Sequence, residues 1–139
     1  MVEREGNVSD CMSDCVFCDI VAGTAEVSSF YQDDLVLGLM TLGPVNTGHA
    51  MIIPKKHATY LADMDEETGR QLFTVTQRTA AAIRESGVKC EGVNLFLADG
   101  EAAFQEIFHL HMHVFTRFKG DPFKLVADWD IHPPREELD

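Results

Sequence analysis

Three histidines alternate with apolar residues in the run His109-Leu110-His111-Met112-His113-Val114-Phe115, and few folded environments accommodate that pattern. On an extended strand successive side chains point to opposite faces, so Leu110, Met112 and Val114 enter a core while His109, His111 and His113 share the other face. A rise of ~3.3 Å per residue sets neighbouring imidazoles roughly 7 Å apart. Each of them can change charge near neutral pH. The chain has six histidines, and half of them fall in this one stretch, which points to a site rather than a solvated edge.

The elements around this strand follow from periodicity and punctuation. Val16, Phe17, Ile20 and Val21 recur at helical spacing and Gly23 closes them, predicting a short helix over 15–22. Val27–Gln32 and Leu35–Met40 read as strands joined at Asp33-Asp34, and His49–Ile53 as a third strand stopped by Pro54. Asp63 with Glu66 three residues on suggests a capping box. Leu72, Val75, Thr76, Thr79, Ala80 and Ile83 then form one stripe, and Gly87 ends a helix expected over 64–86. Gly92–Leu97 is the fourth strand and His109–Thr116 the fifth, with a loop over 98–106 between them. Beyond Arg117 and Lys119 the chain reads as loop around Trp129, Pro133 and Pro134, and Pro134–Asp139 has the pattern of a helix's first turn. The expected architecture is α+β: about five mostly antiparallel strands, one long helix and a short N-terminal helix. Residues 1–13 are polar and expected to be a flexible tail, leaving 14–139 as one domain.

With 139 residues the chain can bury a core without covalent staples. Its formal net charge of -12 disfavours nucleic acid or an anionic membrane as partner, so an anionic substrate needs local attraction. No apolar run approaches the length of a membrane span and the start of the chain lacks signal-peptide character, so a cytoplasmic protein is expected. In a reducing compartment Cys11, Cys15 and Cys18 suggest a metal or redox site rather than disulfides, and Cys90 a buried small residue.

Two chemistries fit the alternating histidines. They could hold a catalytic zinc with an open position, or one imidazole could act as a nucleophile while its neighbours orient it and bind charge. Cys15 and Cys18 form a Cys-X-X-Cys pair that needs two more ligands for a closed tetrahedral site, with His57 and His109 as candidates; His111 would then be free for chemistry. The spacing Cys-X3-Cys-X2-Cys also matches iron–sulfur radical enzymes, but a chain this short cannot supply the barrel they need.

These residues resemble the histidine triad (HIT) family of nucleotide hydrolases and transferases. The signature is met in full by His109 to Phe115, with further matches at Cys15–Ile20, Pro44–His49, Met51–His57, Asp99–Glu106 and Arg117–Asp121. The resemblance is to its zinc-containing branch, and in activity to diadenosine polyphosphate hydrolases. It implies a HIT-like fold and His111 as nucleophile on an α-phosphorus, forming a nucleotidyl-histidine that water cleaves. The carbonyl of His109 would orient that ring, and His113 and His49 would contact phosphate oxygens. Gln105 and Glu106 would lie where the α-phosphate and leaving group are held, and Phe17, Ile20, Leu39 and Leu42 around the base. Structural zinc on Cys15, Cys18, His57 and His109, Mg2+ arriving with substrate, and a homodimer joined by the long helix and a sheet edge are implied as well. The chain departs from the family at three positions. Thr41 stands where a carboxylate or amide commonly holds the ribose, Ala98 where a side-chain amide is usual, and Phe104 where a small residue precedes the glutamine. These departures keep a second expectation open, a non-catalytic, zinc-stabilised nucleotide-binding or regulatory module.

Overall fold

The computed structural model describes residues 14–138. The expected tail over 1–13, with Cys11, therefore lies outside the described residues. Two helices, α1 (Val16–Ala22) and α2 (Glu66–Glu85), flank one sheet of five strands: β1 (Ser29–Gln32), β2 (Val36–Met40), β3 (Ala50–Pro54), β4 (Gly92–Leu97) and β5 (Met112–Arg117). The strand order is β1-β2-β3-β5-β4, and every neighbouring pair is antiparallel.

Local chemistry accounts for the joints. Asp33 Oδ1 accepts the backbone N–H groups of Leu35 and Val36, both at 2.8 Å, which closes the β1–β2 turn. Gly23 ends α1 in the left-handed region at φ 77°, where a Cβ would be strained. The start of α2 differs from the expectation: Asp65, not Asp63, is the cap, accepting Thr68 N–H at 2.9 Å. Asp63 serves a separate 3-10 turn, Leu61–Asp63, and Met64 is extended (φ -89°, ψ 130°), so a helix cannot run through it. The expected C-terminal helical turn is a 3-10 turn, Arg135–Glu137.

Both faces of the central strands β2 and β3 are covered. On one, Leu72 and Val75 of α2 pack on Val36 and Ile52, with Met112 beside them. On the other, Phe17 and Cys18 of α1 and Cys15 before it pack on Leu37, Leu39, Met51 and Ile53. Burying a side chain such as Leu72 or Phe17 contributes roughly 1.5–3 kcal/mol. The apolar runs of β2 and β3 reflect this two-sided burial.

The histidine stretch itself is corrected. Only Met112–Arg117 belongs to the ladder; His109, Leu110 and His111 precede it. Pairing with β3 runs Ala50↔Val114, Met51↔His113, Ile52↔Met112. One more pair along is Ile53 with His111, and beyond it Pro54, which has no N–H to donate, would face Leu110. Leu110 N–H bonds Ala58 O instead, at 2.8 Å. Cys90 is half-buried rather than buried, its Sγ donating to Gly92 O at 3.2 Å.

Candidate active site and metal centre

His113 pairs across the ladder with Met51, so its ring lies on the α1 side of the sheet, and Phe115 two residues on stacks with it at 5.2 Å and 3°. The ring of His111 stands 4.8 Å from that of His113 in a T-shaped contact, closer than the ~7 Å expected from the strand rise. Phe17 wedges against both His109 (5.6 Å) and His111 (5.1 Å).

The hydrogen bonds fix the protons on these rings. His111 Nδ1 is 2.8 Å from the carbonyl oxygen of His109, so Nδ1 carries the proton and Nε2 keeps a bare lone pair. His49 Nδ1 accepts Val45 N–H at 3.2 Å, which puts the His49 proton on Nε2. That proton is donated to His113 Nδ1 at 2.9 Å, so the proton of a neutral His113 is on Nε2. Burial pushes His49 and His113 down to about 4, in the latter with help from the neighbouring imidazoles. Burial also lowers His111, against a raising effect of its bond to the His109 carbonyl. Near neutral pH the site thus presents one nitrogen lone pair beside one ring N–H donor.

His111 and His113 line a cleft of about 320 Å³. Phe17, Leu39 and Met51 form its buried floor, Ile20 and Val27 flank it, and Leu42 and Phe104 stand exposed at its rim. Of the other expected binding residues, Thr41 and Glu106 line the cleft, although the Thr41 hydroxyl already accepts Gly43 N–H at 3.3 Å. Gln105 does not line it. Its Oε1 accepts Gly100 N–H at 2.8 Å and its Nε2 donates to Thr59 O at 2.7 Å, so the side chain braces the loop. Ala98 is buried away from the cleft. Sequence reasoning passed over Val27 and Met51, yet Met51 was reachable once β3 was registered against His113.

The four expected metal ligands converge. One donor atom from each of Cys15, Cys18, His57 and His109 lies within 4.8 Å of the others. His109 Nδ1 is 3.4 Å from Cys15 Sγ and 3.7 Å from Cys18 Sγ, and His57 Nδ1 is 3.3 Å from Cys18 Sγ. Bonds of about 2.0–2.3 Å to a tetrahedral zinc imply donor separations of about 3.3–3.8 Å, so the set fits that ion. His109 Nε2 donates to Pro54 O at 2.8 Å, which leaves its Nδ1 with a lone pair towards the sulfurs, and His57 Nε2 lies 3.2 Å from Thr59 Oγ1, a hydroxyl able to accept its proton and leave His57 Nδ1 bare as well. Cys18 is disulfide-bonded here, so its sulfur can enter a metal's coordination sphere only after reduction.

Comparison with known proteins agrees with this arrangement. The HIT domain model matches residues 23–120. The chain is 36% identical over 123 residues to Protein hit of Bacillus subtilis, covering 88% of this chain and 83% of that one. It is 35% identical over 116 residues to adenylylsulfatase HINT3 of Arabidopsis thaliana, covering 81% of this chain and 57% of that protein. The structure resembles the crystal structure of a Zn-bound histidine triad family protein from Mycobacterium smegmatis, with TM-score 0.76 and 43% identity, over 89% of this chain and 86% of that one.

Proposed function

The chain belongs to the HIT family, and from that membership we propose that it cleaves nucleotide conjugates or dinucleoside polyphosphates at the α-phosphorus through a covalent intermediate on His111. The observation that carries this is the 2.8 Å bond from His111 Nδ1 to the His109 carbonyl on a ring that lines the cleft. It keeps Nε2 unprotonated without any base, so the lone pair can attack phosphorus directly. The P–N bond forms as the bond to the leaving group breaks, and the leaving group departs with that electron pair. Water then attacks the nucleotidyl-histidine; the P–N bond breaks, its pair returns to Nε2, and nucleoside monophosphate is released with the proton lost by the water. His113 Nε2–H, held by His49, would donate to the phosphate oxygens as negative charge builds on them. Donors placed in advance in this way are typically the largest catalytic contribution.

The apolar floor of Phe17, Leu39 and Met51 suits a nucleobase. Zinc on Cys15, Cys18, His57 and His109 would tie α1 to the segment before β5 as a closed structural site. No site for Mg2+ belongs to this proposal; it would travel with a polyphosphate. A homodimer through α2 and the free edge of β4 belongs to it. Among the described residues no helix is long and apolar enough to cross a membrane.

Release of nucleoside monophosphate from a panel of dinucleoside polyphosphates, nucleoside phosphoramidates and adenylyl sulfate tests the activity; the last is included because one relative is named an adenylylsulfatase. His111→Asn is expected to abolish turnover and the covalent adduct while retaining nucleoside monophosphate. Full turnover by that variant refutes the nucleophile. Thr41, whose hydroxyl accepts Gly43 N–H and offers a ligand one O–H in place of a carboxylate's grip, and the buried Ala98 favour a second reading, a nucleotide-binding module without catalysis. It is upheld if the wild-type protein binds nucleotides yet releases no monophosphate from any member of the panel.

A further inference from the structure

The loop between β4 and β5 holds Phe104 in a conformation that its side chain does not favour. Among the described residues it is the one non-glycine at positive φ, 68°, in the left-handed region. The surrounding turn enforces this. Gly100 O accepts the N–H groups of Ala103 at 3.0 Å and Gln105 at 3.1 Å, and Phe104 N–H bonds Glu101 O at 2.9 Å. The Gln105 side chain then ties the turn to Gly100 N–H and Thr59 O. A glycine would sit there without strain. The ring gains no burial in exchange, being 81% exposed. Strain retained without a packing reward points to a role outside the folded core.

The position of the ring suggests that role. Phe104 lines the same cleft as His111 and His113, at its rim, and shares that rim with Leu42, which is 100% exposed. A nucleophile attacking in line from the recessed, 9% exposed His111 drives the leaving group away from the ring, out towards the rim. An exposed aromatic face there can stack on a planar group. We propose that Phe104 forms a subsite for a planar or apolar moiety on the leaving group, so that conjugates with a second nucleobase or an aromatic amine are preferred over those with a small leaving group. This rests on the α-phosphate cleavage proposed above.

Phe104→Gly removes the ring and relieves the backbone, so its Tm should rise. Three substrates carrying the same nucleoside resolve the subsite: a dinucleoside triphosphate, a phosphoramidate of an aromatic amine, and the unsubstituted phosphoramidate. The variant should lower kcat/KM for either aromatic substrate, relative to the unsubstituted one, about tenfold. Loss confined to the dinucleotide assigns the ring to a second base; loss confined to the aromatic amide assigns it to an amine. Ratios within twofold of wild type for both overturn the proposal. If no substrate is turned over, the cleavage reading fails by itself, and calorimetry decides the subsite. In a His111→Asn background, Phe104→Gly should weaken binding of the aromatic conjugates about tenfold relative to the unsubstituted one, and equal weakening or none overturns it.

Discussion

His49 does not line the cleft, and replacing it tests whether proton placement on His113 matters. His49→Phe keeps a ring of similar size against Phe115, whose centroid lies 4.4 Å from that of His49. It deletes the acceptor for Val45 N–H and the donor to His113 Nδ1, bonds of 3.2 and 2.9 Å. Leaving a buried group unpaired costs about 1–3 kcal/mol, and because Val45 and His113 are only half-buried each loss lies at the low end, so a stability loss of about 2–3 kcal/mol is expected. The effect on rate has a separate origin. Without the His49 donor, His113 is free to carry its proton on Nδ1 and present a lone pair to the phosphate. A donor to the developing charge then becomes a repulsive acceptor. Losing one such donor typically costs about 10²–10³ in kcat.

Two measurements separate these effects. Steady-state kinetics at a temperature well below the variant's Tm should show kcat reduced by ten- to a thousandfold with KM little changed. Imidazole 15N shifts should show the His113 proton distributed between both nitrogens in the variant and on Nε2 in the wild type. A variant that folds, keeps the Nε2 proton on His113 and turns over within twofold of wild type refutes the relay.

Other expectations follow from the same geometry. Burial lowers His49 and His113 from about 6.5 to about 4, so the unfolded chain binds more protons between those values; stability is full above pH 6.5 and lost as pH falls towards 4, by on the order of 2 kcal/mol from each histidine at pH 5. Thermal unfolding at pH 7.5 and 5 reads this, and an unchanged Tm contradicts it. His111 is lowered too, so the acid limb of kcat/KM should fall below pH 6.5; a limb above that value argues against a neutral buried nucleophile. Under reducing conditions elemental analysis should find one zinc per chain, Cys15→Ser should lose it, and chelation should lower Tm; metal retained by Cys15→Ser would place the site elsewhere. Light scattering should give twice the chain mass, and a monomer removes the dimer from the proposal.

The sequence predicted β4 to the residue, because Gly92 and the loop after Leu97 bound a run that is broken only by the polar Asn94. The Cys-X-X-Cys pair called for two more ligands with His57 and His109 as candidates, the HIT resemblance implied the full set of four, and these four side chains do cluster. The sequence placed the cap of α2 two residues early, because Asp63 and Asp65 offer the same side chain and only the extended Met64 separates them. The start of β5 was hidden for a different reason. Alternation continues through His109–Phe115, but a ladder also needs a partner with N–H groups, and Pro54 is not one. The role of Gln105 was equally invisible, since a glutamine that braces a loop reads the same as one aimed at a ligand.

Leaving the ladder early gives His109 its double duty. A residue inside a strand spends its carbonyl on a neighbouring strand. Just outside, His109 keeps that oxygen for the Nδ1–H of His111, at 2.8 Å, while its ring donates Nε2–H to Pro54 O, also at 2.8 Å. The same ring turns Nδ1 towards Cys15 and Cys18. One residue therefore joins the metal-type cluster to the nucleophile through bonds on opposite sides of its Cα. Phe17 and His113 pack against the His111 ring, but among the described residues it is the His109 carbonyl that decides which of its nitrogens is bare. The proline that stops β3 from pairing further is thus part of what makes the nucleophile available.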